Sequence, residues 1–123
     1  MRRDMELIRK IVLAIEDHPN GTAPELQFDG YDSSQIGYHS YLMVESGLAI
    51  GCDVTILDSL GPEWIINHLT TAGHEFAESA RNEYVWDEVR EEMKRKGFVS
   101  ASIDIVKRML DKQIRKRLDV DHE

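Results

Sequence analysis

The chain has 123 residues and a formal net charge of -8, set by 15 Lys and Arg against 23 Asp and Glu. Hydrophobic residues make up 41%, with enough Leu, Ile and Val to build a core, which excludes an intrinsically disordered chain. No apolar run reaches the ~18 residues of a membrane span, and Cys52 stands alone, which excludes an intrachain disulfide. The lone thiol fits a reducing cytoplasm. Met1-Arg2-Arg3-Asp4 leads into an acid-containing amphipathic stretch, unlike the basic-then-apolar order of a signal peptide. One domain is expected over residues 1–123, with a core in 1–80 and a helical extension in 81–118.

Met5, Ile8, Ile11, Val12 and Ile15 recur at three- and four-residue spacing, which predicts a helix over 4–18 capped by Asp4 and stopped by Pro19. Asn20-Gly21 supplies a turn. Residues 25–29 alternate, so Leu26 and Phe28 are expected on one face of a short strand. Asp32 with Gln35 forms a capping-box pattern at the head of a helix over 33–46. Its stripe is Ile36, Ser40 and Met43, widened by Leu42 or Val44. Gly47 is expected as its left-handed cap. Residues 48–55 and 63–69 then predict a β-hairpin around the turn chemistry of Asp58 to Pro62.

Thr70 or Thr71 caps a third helix carrying Phe76, Ala77, Ala80 and Tyr84. A fourth places Trp86, Val89 and Met93 inward and ends at Gly97. Ser100 or Ser102 starts the last helix, with Ile103, Val106, Leu110 and Ile114 on its buried face. Residues 119–123 are expected to fray.

The charge is segregated. Residues 11–80 contain eleven acids and no Lys or Arg, a net of −11, whereas residues 94–117 hold nine basic groups and two acids, a net of +7. The order helix, short strand, helix, β-hairpin, helix predicts an α+β, winged-helix-like fold. The helix that normally precedes the recognition helix has only the Pro- and Gly-rich residues 19–32 in its place, so the helix-turn-helix is truncated.

Several blocks also resemble the domain of unknown function 2513 family of bacterial and phage proteins. They are Arg3 to Ile11, Gly30-Tyr31, Ile36-Gly37-Tyr38-His39, Leu69 to Phe76, Val85-Trp86 and Lys94-x-x-Gly97. Thr71 stands where the family has an aromatic residue. The resemblance implies a winged-helix-like fold and a prokaryotic or prophage origin, and it implies no established activity.

A DNA reader needs Lys and Arg at phosphates and donors at base edges. The presumed recognition helix offers Ser34, Gln35, Tyr38, Tyr41 and Glu45 outward, and these form the candidate interaction surface. The favoured reading is a regulatory or accessory module binding another protein, with self-association open because the two charge blocks are opposite in sign. The alternative is a DNA-binding regulator using the basic tail, with Arg2, Arg3, Lys107, Arg108, Lys112, Arg115 and Lys116 as contacts, supported by Arg9 and Lys10.

His39, His68 and His74 lack metal-ligand spacing, and His39 and His74 read as packing or capping residues. Cys52 reads as a buried structural thiol, and Trp64, Phe76, Trp86 and the tyrosines as core. No phosphate-cradling loop, nucleophile elbow or telling carboxylate pair is present. No catalytic residue, cofactor or metal is therefore expected, and an enzyme is a distant third reading that a deep pocket with convergent His39, His68 or His74 would revive.

Overall fold

The computed structural model describes residues 1–20 and 22–118. Among them are helices α1 (Met5–Asp17) and α2 (Ser33–Glu45), strands β1 (Ala49–Asp53) and β2 (Trp64–Leu69), and helices α3 (Thr71–Arg81), α4 (Glu83–Arg95) and α5 (Ile103–Leu118). This is an α+β fold whose single described sheet is the antiparallel pair β1-β2. The chain divides into two compact units, Met1–Ala77 and Glu78 onward, with the boundary inside α3. No described helix is long and apolar enough to cross a membrane.

In the first unit, α1 begins where expected. The Asp4 carboxylate accepts from the Glu6 and Leu7 amides at 2.9 and 3.3 Å, satisfying two donors that the first turn leaves open. Its buried stripe is Met5, Leu7, Ile8, Ile11, Val12 and Ile15. Both halves of the α2 capping box form, at 2.8 Å from the Gln35 amide to Asp32 and 2.9 Å from the Asp32 amide to Gln35. The buried positions of α2 are Ile36, His39, Ser40 and Met43, so a histidine rather than Leu42 or Val44 widens the stripe.

Gly47 closes α2 at φ +82°. The Leu48 amide then reaches back to the Met43 carbonyl at 2.9 Å, and Leu48 is fully buried. This cap reverses the chain into β1.

The hairpin departs from simple alternation. Ile50 pairs with His68 and Gly51 with Ile66, which leaves Asn67 as the extra residue of a β-bulge. The bulge shifts the phase of β2 by one residue. Ile66 and Leu69 are therefore both buried, three apart, while His68 turns outward.

The short strand expected over 25–29 does not form. The Ala23 amide donates to the Asn67 carbonyl at 3.0 Å, and this bond to β2 is not extended into a ladder. Pro24 has no N–H to continue it, and Asn67 sits at the irregular point of β2. Exposure still alternates, with Leu26 and Phe28 half-buried between exposed neighbours.

Thr70 caps α3. Its hydroxyl accepts from the Gly73 amide at 3.1 Å and donates to the Gly47 carbonyl at 2.6 Å. Gly73 packs so tightly on the first unit's chain that a Cβ there would overlap the Leu48 carbonyl oxygen.

In the second unit, Tyr84 does not extend the α3 face, contrary to the periodicity. Asn82 interrupts the helix by capping α4, accepting from the Tyr84 and Val85 amides at 3.0 and 3.1 Å, and Tyr84 lies exposed. The buried face of α4 is Val85, Trp86, Val89 and Met93. Ser102 caps α5, whose buried residues are Ile103, Val106, Leu110 and Gln113, with Ile114 only half-buried. The α4 and α5 faces pack together. The expected fraying of 119–123 and the Gly21 half of the first turn lie outside the described residues.

Candidate functional site

The outward face of α2 is largely engaged within its own unit. The Ser34 hydroxyl donates to the Glu63 carboxylate at 3.2 Å, and Gln35 is held by the capping box. Tyr38 and Tyr41 lie 6.0 Å apart, and Tyr41 lies 6.1 Å from Trp64, which forms a tilted aromatic row from α2 to β2. All four residues are half-buried, as is Trp64, which is not the core residue its strand position suggests. Glu45 is exposed at the end of the helix. No Lys or Arg occurs between residues 11 and 80, so neither this face nor the hairpin carries a cation of its own.

Behind that face, α1 and α2 share a polar node. The Asp4 amide donates to His39 Nε2 at 2.8 Å, which fixes the histidine proton on Nδ1, directed at the Gln35 carbonyl 2.7 Å away. Burial lowers the His39 pKa below its usual value, partly opposed by the Gln35 carbonyl and Asp4. The imidazole is thus held neutral. The Tyr31 hydroxyl donates to the second Asp4 carboxylate oxygen at 2.9 Å, and burial together with this bond pushes the phenol up to about 12. Asp4 therefore caps α1 with one oxygen and receives Tyr31 with the other. Sequence reasoning placed Asp4 and His39 correctly as cap and packing residues. It missed Tyr31, whose partner lies 27 residues away.

His68 and His74 lie elsewhere. His68 is exposed on β2, with Nδ1 3.0 Å from the Leu69 carbonyl, and His74 sits 3.4 Å from Glu16. Among the described residues no three His, Cys, Asp or Glu side chains gather in a way that would hold a metal ion.

Cys52 corrects the buried-thiol expectation: it is exposed on the outer face of β1, its Sγ 3.7 Å from the side-chain Nδ2 of Asn67. A two-stranded sheet covered on one side leaves its other side in water. Ile50 and Ile65 share that exposed side.

The basic residues of α5 are mostly exposed, with Lys107 half-buried. Several are partly neutralised. Arg108 pairs with Asp104 at 3.1 Å, Arg115 with Asp111 at 2.7 Å, and Arg117 lies 5.8 Å over the Tyr84 ring. Lys112 approaches Glu92 at 3.8 Å, while Lys96 reaches it at 3.2 Å. The hydrogen bond from Lys96, with the Lys112 charge behind it, holds the Glu92 carboxyl below the usual carboxylate range. At the other end, Arg2 and Lys10 are exposed, and Arg3 and Arg9 half-buried. Lys116 is also exposed on α5.

A family profile described as "Hypothetical protein (DUF2513)" matches residues 2–99 and stops before α5. An "Uncharacterized protein" of Haemophilus influenzae is 32% identical over 111 residues, covering 89% of this chain and 92% of the relative. No solved structure matches the chain. The profile spans most of the sequence and the relative covers nearly all of it, so this chain belongs to the DUF2513 family.

Proposed function

We propose that this protein is a winged-helix-like regulatory or accessory module that binds another protein, and that it does not read duplex DNA through α2. The observation carrying this reading is the state of α2. Ser34, Gln35, Tyr38 and Tyr41 are committed to contacts within the fold, and the stretch around them has eleven acids and no cation. A duplex presents one negative charge per ~1.7 Å of axis, and phosphate contacts supply most non-specific affinity. An acidic helix and wing repel that surface. The same surface favours a basic protein partner, approached at Glu45 and the exposed acids of the hairpin. The module has no catalytic residue, cofactor or metal in this reading.

Affinity capture from a bacterial lysate, with and without nuclease, tests it. A partner retained after nuclease, and lost on Glu45→Lys, is the expected result. Sequence-selective duplex binding that survives physiological salt overturns it.

A second reading rests on the exposed cations of α5. In it the protein is a DNA-binding regulator docking through Lys112, Arg115 and Lys116. Replacing these three together then lowers affinity and flattens the salt dependence. Absence of DNA binding at low salt ends that reading.

A further inference from the structure

We infer that two copies of this chain associate head to tail, with the hairpin tip of one copy seated in the α4–α5 groove of the other. The inference goes beyond the proposed partner binding and stands whether or not that reading holds.

The tip is an ordered apolar projection. Between β1 and β2, Ile56, Leu57 and Leu60 are exposed, Leu57 completely at 104%. Three large apolar side chains inside a turn are unusual on a free surface, where such patches mark interaction sites. The loop is nevertheless built. The Thr55 hydroxyl accepts from the Glu63 amide at 2.9 Å and donates to its carbonyl at 3.2 Å. The Thr55 amide donates to Asp53 at 2.9 Å, and the Ile56 amide to the Ser59 hydroxyl at 3.0 Å. A pre-shaped tip loses less conformational freedom on docking. Its charges are Asp53, Asp58 and Glu63, with no cation.

The groove is the complementary feature. It lies within the second unit, is an open cleft of about 560 Å³ and is lined by Met93, Phe98, Ala101, Ile105 and Met109. That volume is in the range of real binding clefts. Phe98 is 61% exposed and Ile105 44%, so apolar surface stands open at its mouth. Glu92 on the rim is already paired with both Lys96 and Lys112, so the surplus charge at that side of the mouth is positive. Acidic tip and basic mouth therefore select one another, and apolar side chains fill the space between. A second copy supplies this partner at the same concentration as the groove. The contact joins different surfaces, so its closure into rings or longer assemblies follows from the heterologous geometry.

The test is sedimentation velocity from low micromolar to millimolar protein, at low and high salt. The expected result is a mass that rises above the monomer with concentration, and a shift toward monomer as salt screens the charges. Leu57→Asp with Leu60→Asp, and separately Ile105→Asp, each weaken association by about tenfold or more. All three positions are exposed, so circular dichroism of the variants is expected to match the parent. The decisive arm mixes the two variants. At a concentration where each variant alone sediments as a monomer, together they form a heterodimer through the one intact tip and the one intact groove. A chain that stays monomeric throughout overturns the inference, as does association indifferent to either variant or a mixture that fails to pair.

Discussion

Protonation of His39 is expected to undo the joint between α1 and α2. At 2% exposure the imidazole is in the core, and Nε2 serves only as an acceptor for the Asp4 amide. A proton on Nε2 turns that acceptor into a donor facing a donor. The groups facing the ring are the Asp4 amide, the Gln35 carbonyl, the Asp4 carboxylate and the Arg3 guanidinium, and burial outweighs the two that favour the cation. The folded pKa lies below the ordinary 6.5, so the unfolded chain takes up the proton first as pH falls. The stabilisation is complete above that value and is lost as pH falls through the folded pKa. One group of this kind changes stability by at most ~1.4 kcal/mol per pH unit. His39→Leu removes the acceptor and leaves the Asp4 amide orphaned, at a cost of about 1–3 kcal/mol near neutrality. Urea unfolding of both proteins, followed by circular dichroism across the acidic range, reads the difference. The gap between parent and variant is expected to narrow as pH falls, because only the parent has the sensitive group. Other titrating residues are common to both and cancel. A gap that stays constant or widens toward acid refutes the assignment.

Two further outcomes follow from close contacts. Gly73→Ala places a methyl against the Leu48 carbonyl, so the ~1 kcal/mol that Ala normally gains over Gly in a helix is reversed into a loss of about 1–3 kcal/mol, whereas Gly61→Ala, with open space around it, is close to neutral in thermal melts. Cys52 is exposed, so a thiol reagent is expected to label the folded protein as fast as the urea-unfolded chain, and strong protection in the folded state would contradict the outer-face placement.

Features decided by a residue and its immediate neighbours were legible in the sequence. Asp4, Asp32, Gly47 and Ser102 act at the helix ends where their chemistry points, because capping needs only amides two or three residues away. What escaped depends on residues distant in sequence or on local competition. Continuing the spacing of Phe76, Ala77 and Ala80 to Tyr84 assumes one helix, yet the Asn82 side chain captures the Tyr84 and Val85 amides and starts another. The bulge at Asn67 is a property of two strands in register, and no pattern in β2 alone reveals that Ile66 and Leu69 share a side. Cys52 and Trp64 were misjudged for the same reason, since a two-stranded sheet has one covered face and a rim. The apolar tip carried a visible signal: Ile56, Leu57 and Leu60 interrupt a stretch otherwise made of turn residues. Its place as an exposed projection needed the fold.

Three of the blocks through which the chain resembles its family meet at the α1–α2 joint. Arg3 to Ile11 contributes Asp4, Gly30-Tyr31 contributes the phenol, and Ile36 to His39 contributes the imidazole. Each polar atom there is already spent. One Asp4 oxygen holds backbone amides, the other holds Tyr31, and both His39 nitrogens are bonded. The recognisable residues of these three blocks therefore describe how α1 and α2 are locked together. Chemistry that distinguishes a partner has to sit outside the joint, where exposed groups remain to be engaged. On this chain those are the acidic, apolar hairpin and the basic groups of α5.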